Sequence, residues 1–152
     1  MSPSGGLTGY IHFKIYMALT HWYEKNKETG YVFDASVGFR LPDGSVLAPD
    51  AAFVSKNRWK ELSKEDQEKF PPITPDFIIE VRSKSDSLSQ LQSKMMNWLN
   101  NGCLLAWLID PIEEKAYVYR KAGLIKTINS FDKRLSGEEV LPDFGLELNK
   151  LK

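Results

Sequence analysis

Asp50, Glu80 and Lys94 are the side chains whose type and setting point to chemistry. Asp50 lies inside the apolar run Val46 to Val54, with the small residues Ala48 and Ala52 on its own face and Pro49 beside it. A proline in such a run marks an edge or bulge where a strand opens. Glu80 is central in TPDFIIEVRS (74–83). Side chains alternate along a strand, so Asp76, Ile78, Glu80 and Arg82 share one face and Phe77, Ile79 and Val81 the other. An ionised carboxylate inside a strand costs several kcal/mol to bury unless a cation or donors compensate. The bland account of each acid is a pairing with an internal arginine or lysine. Lys94 sits about 60° around a helix from Leu91 and in register with Ser87 and Trp98, at the border of an apolar stripe. From position alone it is equally a lysine snorkelling along that seam.

Two carboxylates and a lysine on one sheet edge have a specific use. Hard oxygen ligands hold Mg²⁺, which keeps several waters, while the ammonium steadies an attacking water or the charge developing on a phosphate. That constellation cleaves phosphodiesters. Arg82 either neutralises a phosphate or ties down Glu80.

Other chemistries fall away. His12 and His21 are separated by about 900° of helical rotation and so lie on opposite faces; each is read as structural or merely exposed. No CxxC, HExxH, glycine-rich phosphate loop or GxSxG elbow occurs. Pro-Asp occurs at 42–43, 49–50, 75–76 and 142–143. Asp43 and Asp143 are explained by turns, and Asp76, after two prolines, by bonds to nearby backbone.

The elements that must position these residues follow from periodicity. Leu7, Ile11, Ile15, Ala18 and Trp22 predict a helix from about Leu7 to Lys27, with Gly30 placed to end it. Tyr31 to Leu41 and Ser45 to Val54 read as a hairpin turning at Pro42-Asp43-Gly44. Residues 56–69, rich in both charges, read as a solvated helix or helical loop. Prolines 71, 72 and 75 deliver the chain to a strand at Asp76 to Arg82. Ser87 caps a helix over 88–101 that Gly102 stops. The run LLAWLI predicts a strand buried on both faces, parallel to 76–82 across that helix, with Ala116 to Arg120 as its antiparallel neighbour. Short strands and loops are expected beyond Leu124.

At 152 residues the chain fits one domain. Its 20 Lys+Arg balance 20 Asp+Glu, so a bond to an acidic polymer such as DNA needs a local patch. Cys103 alone makes no internal disulfide, which suits the cytoplasm, and the longest apolar run, CLLAWLI, is far short of a bilayer span.

With these residues in place, the chain resembles the Uma-two family, a restriction-endonuclease-like branch of the PD-(D/E)XK nuclease superfamily. The likeness runs in family order through SPSGGLTG (2–9), FDASVGFRLPDGSVLAPDAAFV (33–54), the segment from Arg58 to Met95, and NGCLLAWLIDP (101–111). It implies an α/β (α+β) fold, a mixed β-sheet flanked by α-helices, forming one domain over 1–152. Relatives typically carry an upstream helix and strand ending in MSP, so a start at Met1-Ser2-Pro3 implies a shortened form. The family's PD aspartate falls on Asp50 and its acidic strand residue on Glu80, both as metal ligands. Position 82, lysine across the superfamily, is Arg82 here. In this family the lysine is placed on the following helix, which gives Lys94, with Gln92 as a neighbouring auxiliary. The resemblance thus implies an endodeoxyribonuclease using Mg²⁺, or Mn²⁺ in its place, with Lys94 orienting or activating water. It also implies DNA as partner, no membrane, and often a homodimer. A non-catalytic DNA-binding or protein-interaction module keeping the fold is the alternative; Arg82, the short start and the neutral charge speak for it.

Overall fold

A six-stranded sheet forms the frame of the computed structural model, which describes residues 3–152. The chain begins with α1 (Gly6–Glu24), then β1 (Gly30–Phe33), β2 (Phe39–Arg40), β3 (Val46–Leu47) and β4 (Ala51–Ser55). Two short helices, α2 (Lys56–Lys60) and α3 (Lys64–Glu68), lead to β5 (Phe77–Val81) and α4 (Leu88–Asn100). There follow β6 (Leu105–Asp110), β7 (Lys115–Arg120), β8 (Gly123–Ile128), β9 (Arg134–Ser136) and β10 (Gly145–Glu147). The main sheet is ordered β1-β4-β5-β6-β7-β8. Every neighbouring pair is antiparallel except β5 and β6, which run parallel because α4 crosses between them. β2 with β3, and β9 with β10, form separate two-stranded ladders.

Each face of the sheet has its own core. Ile11, Ile15, Leu19 and Trp22 of α1 pack on Phe53, Phe77, Ile79 and Trp107. Met95, Trp98 and Leu99 of α4 pack on Ala52, Val54, Ile78, Ala106 and Leu108, with Phe39 and Leu41 closing the edge. β5 and β6 are buried at every position, as expected of strands covered twice. The buried stripe of α1 is therefore one turn shorter than its apolar pattern. Leu7 is exposed, and with Tyr10, Phe13 and Met17 it makes an apolar stripe facing outward.

The Ser87 hydroxyl does cap α4, accepting from Gln90 N, and Gly102 leaves the helix at φ 107°, a region that favours glycine. The hairpin expected over 31–54 is interrupted. β1 pairs with β4 and β2 with β3, with Gly44 at φ 90° in the turn. Residues 56–69 form two short helices rather than one.

Gly30 does not end α1, whose C-cap is Lys25. It begins β1 instead, and its lack of a side chain serves close packing: a Cβ there would lie 2.3 Å from Val54 O and 2.8 Å from the Phe53 ring. Gly30→Ala is expected to cost roughly 1–3 kcal/mol, because backbone cannot yield as a flexible side-chain end can. Thermal unfolding checks this, and an unchanged midpoint would mean that β1 shifts freely.

Candidate active site

Pro49 has no N–H, so the β4–β5 ladder cannot continue through it. The register pairs Ala51 with Ile79 and Ala52 with Ile78 and ends there, so Asp50 and Glu80 are the next residues on the two chains beyond the last pair. Asp50 N still donates to Ile79 O at 3.0 Å. Its Oδ2 then accepts from Val81 N at 2.7 Å, filling with a carboxylate the place the ladder has left. The Asp50 carbonyl accepts from the Tyr16 hydroxyl at 2.6 Å, and that hydroxyl accepts from Ala35 N at 3.0 Å. Helix α1 and the loop after β1 thus grip Asp50 from the other face.

Glu80 is 3 % exposed. Its Oε2 receives Lys94 Nζ at 2.9 Å and Trp98 Nε1 at 3.0 Å. These two partners stand four residues apart on α4, hence on one helix face. Burial raises the Glu80 carboxyl to about 7; Lys94 opposes that rise and Asp50's charge adds to it. His12 Nε2 lies 3.6 Å from Asp50 Oδ1, too long for a hydrogen bond, and is buried without a hydrogen-bond partner. The facing Asp50 lifts the His12 imidazole above its ordinary value against the burial that would lower it, and Glu80 adds to the lift.

Both shifts have the same sign. Each group binds its proton more tightly folded than unfolded, so the stability it contributes is full below the unfolded value and is lost as pH rises through the folded one. For Glu80 that window runs from 4.5 to about 7, and for His12 it opens above 6.5. The metal-free protein, held in chelator, should therefore lose on the order of 1–3 kcal/mol of unfolding free energy between pH 5 and pH 8. Glu80→Gln should flatten the lower part of that slope. Urea titrations across the range measure it, and a stability that climbs over this interval would refute it.

The remaining residues sort differently. Arg82 does not touch Glu80: its Nη1 donates to Asp110 Oδ2 at 2.9 Å and Glu113 Oε2 at 3.2 Å, and its Nε to Asp86 O at 3.3 Å. Asp110 is fully buried and also accepts from Ile112 N and Glu113 N, so the arginine fastens the turn after β6. Gln92 is half-buried, and no bond joins it to Asp50, Glu80 or Lys94 among the described residues. Asp76 is structural, accepting from Ser55 N and Arg58 Nη1. Asp43 accepts from Ser45 in its turn, and Asp143 adopts φ 69°. Cys103 is buried, which pushes its thiol up to about 12. His21 is exposed.

The donor set fits a hard divalent cation. Asp50 Oδ1 and Glu80 Oε1 each lack a hydrogen bond among the described residues, and both belong to carboxylates where the β4–β5 ladder stops. No three His, Cys, Asp or Glu side chains among the described residues stand together as a ready ligand cluster. An ion here would therefore keep several waters, as Mg²⁺ does. Three participants escaped the sequence reading. Sequence periodicity places Trp98 in the core stripe alone, gives Tyr16 no role, and sets His12 only against His21. The four-residue spacings of His12 to Tyr16 and Lys94 to Trp98 were the available signal.

A mixed sheet, mostly antiparallel, with helices on both faces and an acidic pair at the opening between two central strands defines a restriction-endonuclease-like fold. The chain belongs to the family described as "Uma2: Putative restriction endonuclease", whose model matches residues 1–149. Among solved structures it is similar to "a putative nuclease belonging to DUF820" from Anabaena variabilis ATCC 29413, at 19% identity and a TM-score of 0.80. That match covers 99% of this chain and 82% of the other. Similarity to the DrdV–DNA complex covers 73% of this chain and 9% of that one, at 12% identity and a TM-score of 0.43. No curated protein matches. Among the described residues no helix is long and apolar enough to cross a membrane.

Proposed function

We propose that residues 1–152 act as one restriction-endonuclease-like unit, a divalent-metal-dependent endonuclease hydrolysing DNA phosphodiesters. Asp50 and Glu80 hold the ion. The observation that carries this reading is Asp50, one residue beyond the last β4–β5 pair and held by Val81 N at 2.7 Å, beside Glu80, whose Oε2 lies 2.9 Å from Lys94 Nζ. A bound Mg²⁺, or Mn²⁺ in its place, would polarise a phosphoryl oxygen and make a coordinated water a better nucleophile. The protein's own contribution is positional. Trp98 and Lys94 fix one oxygen of Glu80 and leave the other free, Val81 N fixes one oxygen of Asp50, and the partly exposed ammonium of Lys94 orients the attacking water. Arg82, committed to Asp110 and Glu113, supplies no charge to this chemistry. Cytoplasmic location fits the single buried thiol. A homodimer accords with the outward apolar stripe of α1.

The test is direct. Purified protein with Mg²⁺ should convert supercoiled plasmid to the nicked form; no conversion with either Mg²⁺ or Mn²⁺ would overturn the reading. The second reading, a non-catalytic binding module, draws on Arg82 standing where the superfamily has its lysine. Thermal unfolding under Mg²⁺ or Mn²⁺ titration separates the two. A metal-dependent rise that Glu80→Ala removes favours the nuclease, and no rise favours the module.

A further inference from the structure

A cleft of about 430 Å³ opens along β8, the last strand of the main sheet, and its lining is unlike the rest of this charge-balanced chain. Lys126, Lys133 and Arg134 bring three cations to it, Thr127, Asn129 and Ser130 bring uncharged hydrogen-bonding groups, and no acidic side chain lines it. Lys126 and Lys133 are exposed, and no ion pair among the described residues engages either. Arg134 meets Glu147 at 3.7 Å and stays exposed. Asp132 adjoins Lys133 in sequence but is not part of the lining. Like charges gathered on one surface repel, and a bound anion offsets that cost.

The sheet register says where this cleft stands. Glu80 pairs with Leu108, Leu108 with Tyr117, and Tyr117 with Thr127, so one row of the sheet joins the acidic site to the cleft. Glu80 and Thr127 are each the penultimate residue of strands that run the same way, which puts both at one end of the sheet. Three strand spacings span about 14 Å, the rise of about four base-pair steps of a duplex. The turn between β6 and β7 carries Glu113 and Glu114, but Arg82 faces the first at 3.2 Å and Lys152 the second at 3.4 Å, so neither stands as a bare charge on the path. We propose that the β8 cleft binds backbone phosphates of duplex DNA, gripping the substrate about 14 Å from the bond held at Asp50 and Glu80. The proposal rests on the DNA reading above and deepens it. A chain with no net charge has no global field to draw DNA, and this cleft is the local patch that takes its place.

The probe is a fluorescently labelled duplex of about 20 base pairs, bound by the full chain in chelator so that no cutting intervenes, with anisotropy read across a salt series. Each phosphate contact removed lowers the slope of log affinity against log salt by about 0.9. The double variant Lys126→Ala/Lys133→Ala should therefore bind about tenfold more weakly and lose about 2 from that slope, uniformly across DNA sequences. Both lysines are exposed, so the unfolding midpoint should hold. The control is Lys60→Ala/Lys64→Ala, two exposed lysines of α2 and α3, which lie toward the opposite, β1 edge of the sheet; its affinity should stay within about twofold of wild type. Wild-type affinity and slope in the cleft variant overturn the proposal, as does an equal loss in the control, which would mean a diffuse charge effect. Tighter binding of a duplex RNA of the same sequence overturns the choice of DNA. Plasmid nicking with Mg²⁺ is scored separately: nicking that persists while the cleft variant binds as wild type sinks the cleft and leaves the nuclease, whereas the expected binding loss in a wild type that never nicks keeps the cleft and sinks the nuclease.

Discussion

Asp50→Asn and Glu80→Gln should each slow plasmid nicking by about a hundred- to thousandfold, the range seen when one preorganised electrostatic contact to a transition state is removed. Neither change should unfold the protein. The amide oxygen of an asparagine can still accept from Val81 N, and a glutamine at 80 relieves the cost of a buried charge that is 3 % exposed. Activity and stability should thus part company, with rate collapsing while the unfolding midpoint holds or rises. Nicking rates on supercoiled plasmid and thermal unfolding of the same preparations measure the two sides. Rates within a few fold of wild type in both variants would remove the acids from the chemistry.

Lys94→Met should have the larger effect on the fold. It deletes the cation at 2.9 Å from Glu80 and strands that carboxylate, with Trp98 Nε1 its one remaining side-chain donor. Breaking a fully buried pair costs about 3–5 kcal/mol; since Lys94 is 31 % exposed, a loss nearer 2 kcal/mol is expected. The partner substitution turns this into a clean test. In Lys94→Met with Glu80→Gln no uncompensated charge is left, so the double variant should recover most of the loss, giving a coupling energy of about 1–2 kcal/mol. Denaturant unfolding of the four proteins closes the cycle. Additive costs would mean that the pair is a surface accident.

What was legible in the sequence was whatever a short periodic rule encodes. Alternation placed Glu80 on one face with Ile78, which the fold covers with α4, the apolar run LLAWLI announced a doubly covered strand, and Ser87 and Gly102 marked the ends of α4. Pro49 disclosed the opening at Asp50 because a missing N–H is a local fact. Contacts between distant segments were not legible. The tie of Arg82 to Asp110 spans 28 residues and the approach of His12 to Asp50 spans 38, and neither leaves a mark in local spacing. Gly30 misled for a related reason. A glycine after a helix is a common stop, whereas its work here, admitting the Val54 carbonyl, depends on a strand more than twenty residues later. Leu7 carried the apolar period one turn beyond the surface that α1 buries.

The bond from Val81 N to Asp50 Oδ2 has a consequence of its own. Elsewhere in β5 an amide reports on its neighbouring strand, whereas this one hangs from a side chain that can gain a proton or a cation. Its resonance frequency and its exchange with solvent deuterium are consequently tied to the state of the carboxylate. The interruption at Pro49 has wired one backbone amide as a built-in gauge of the site's charge.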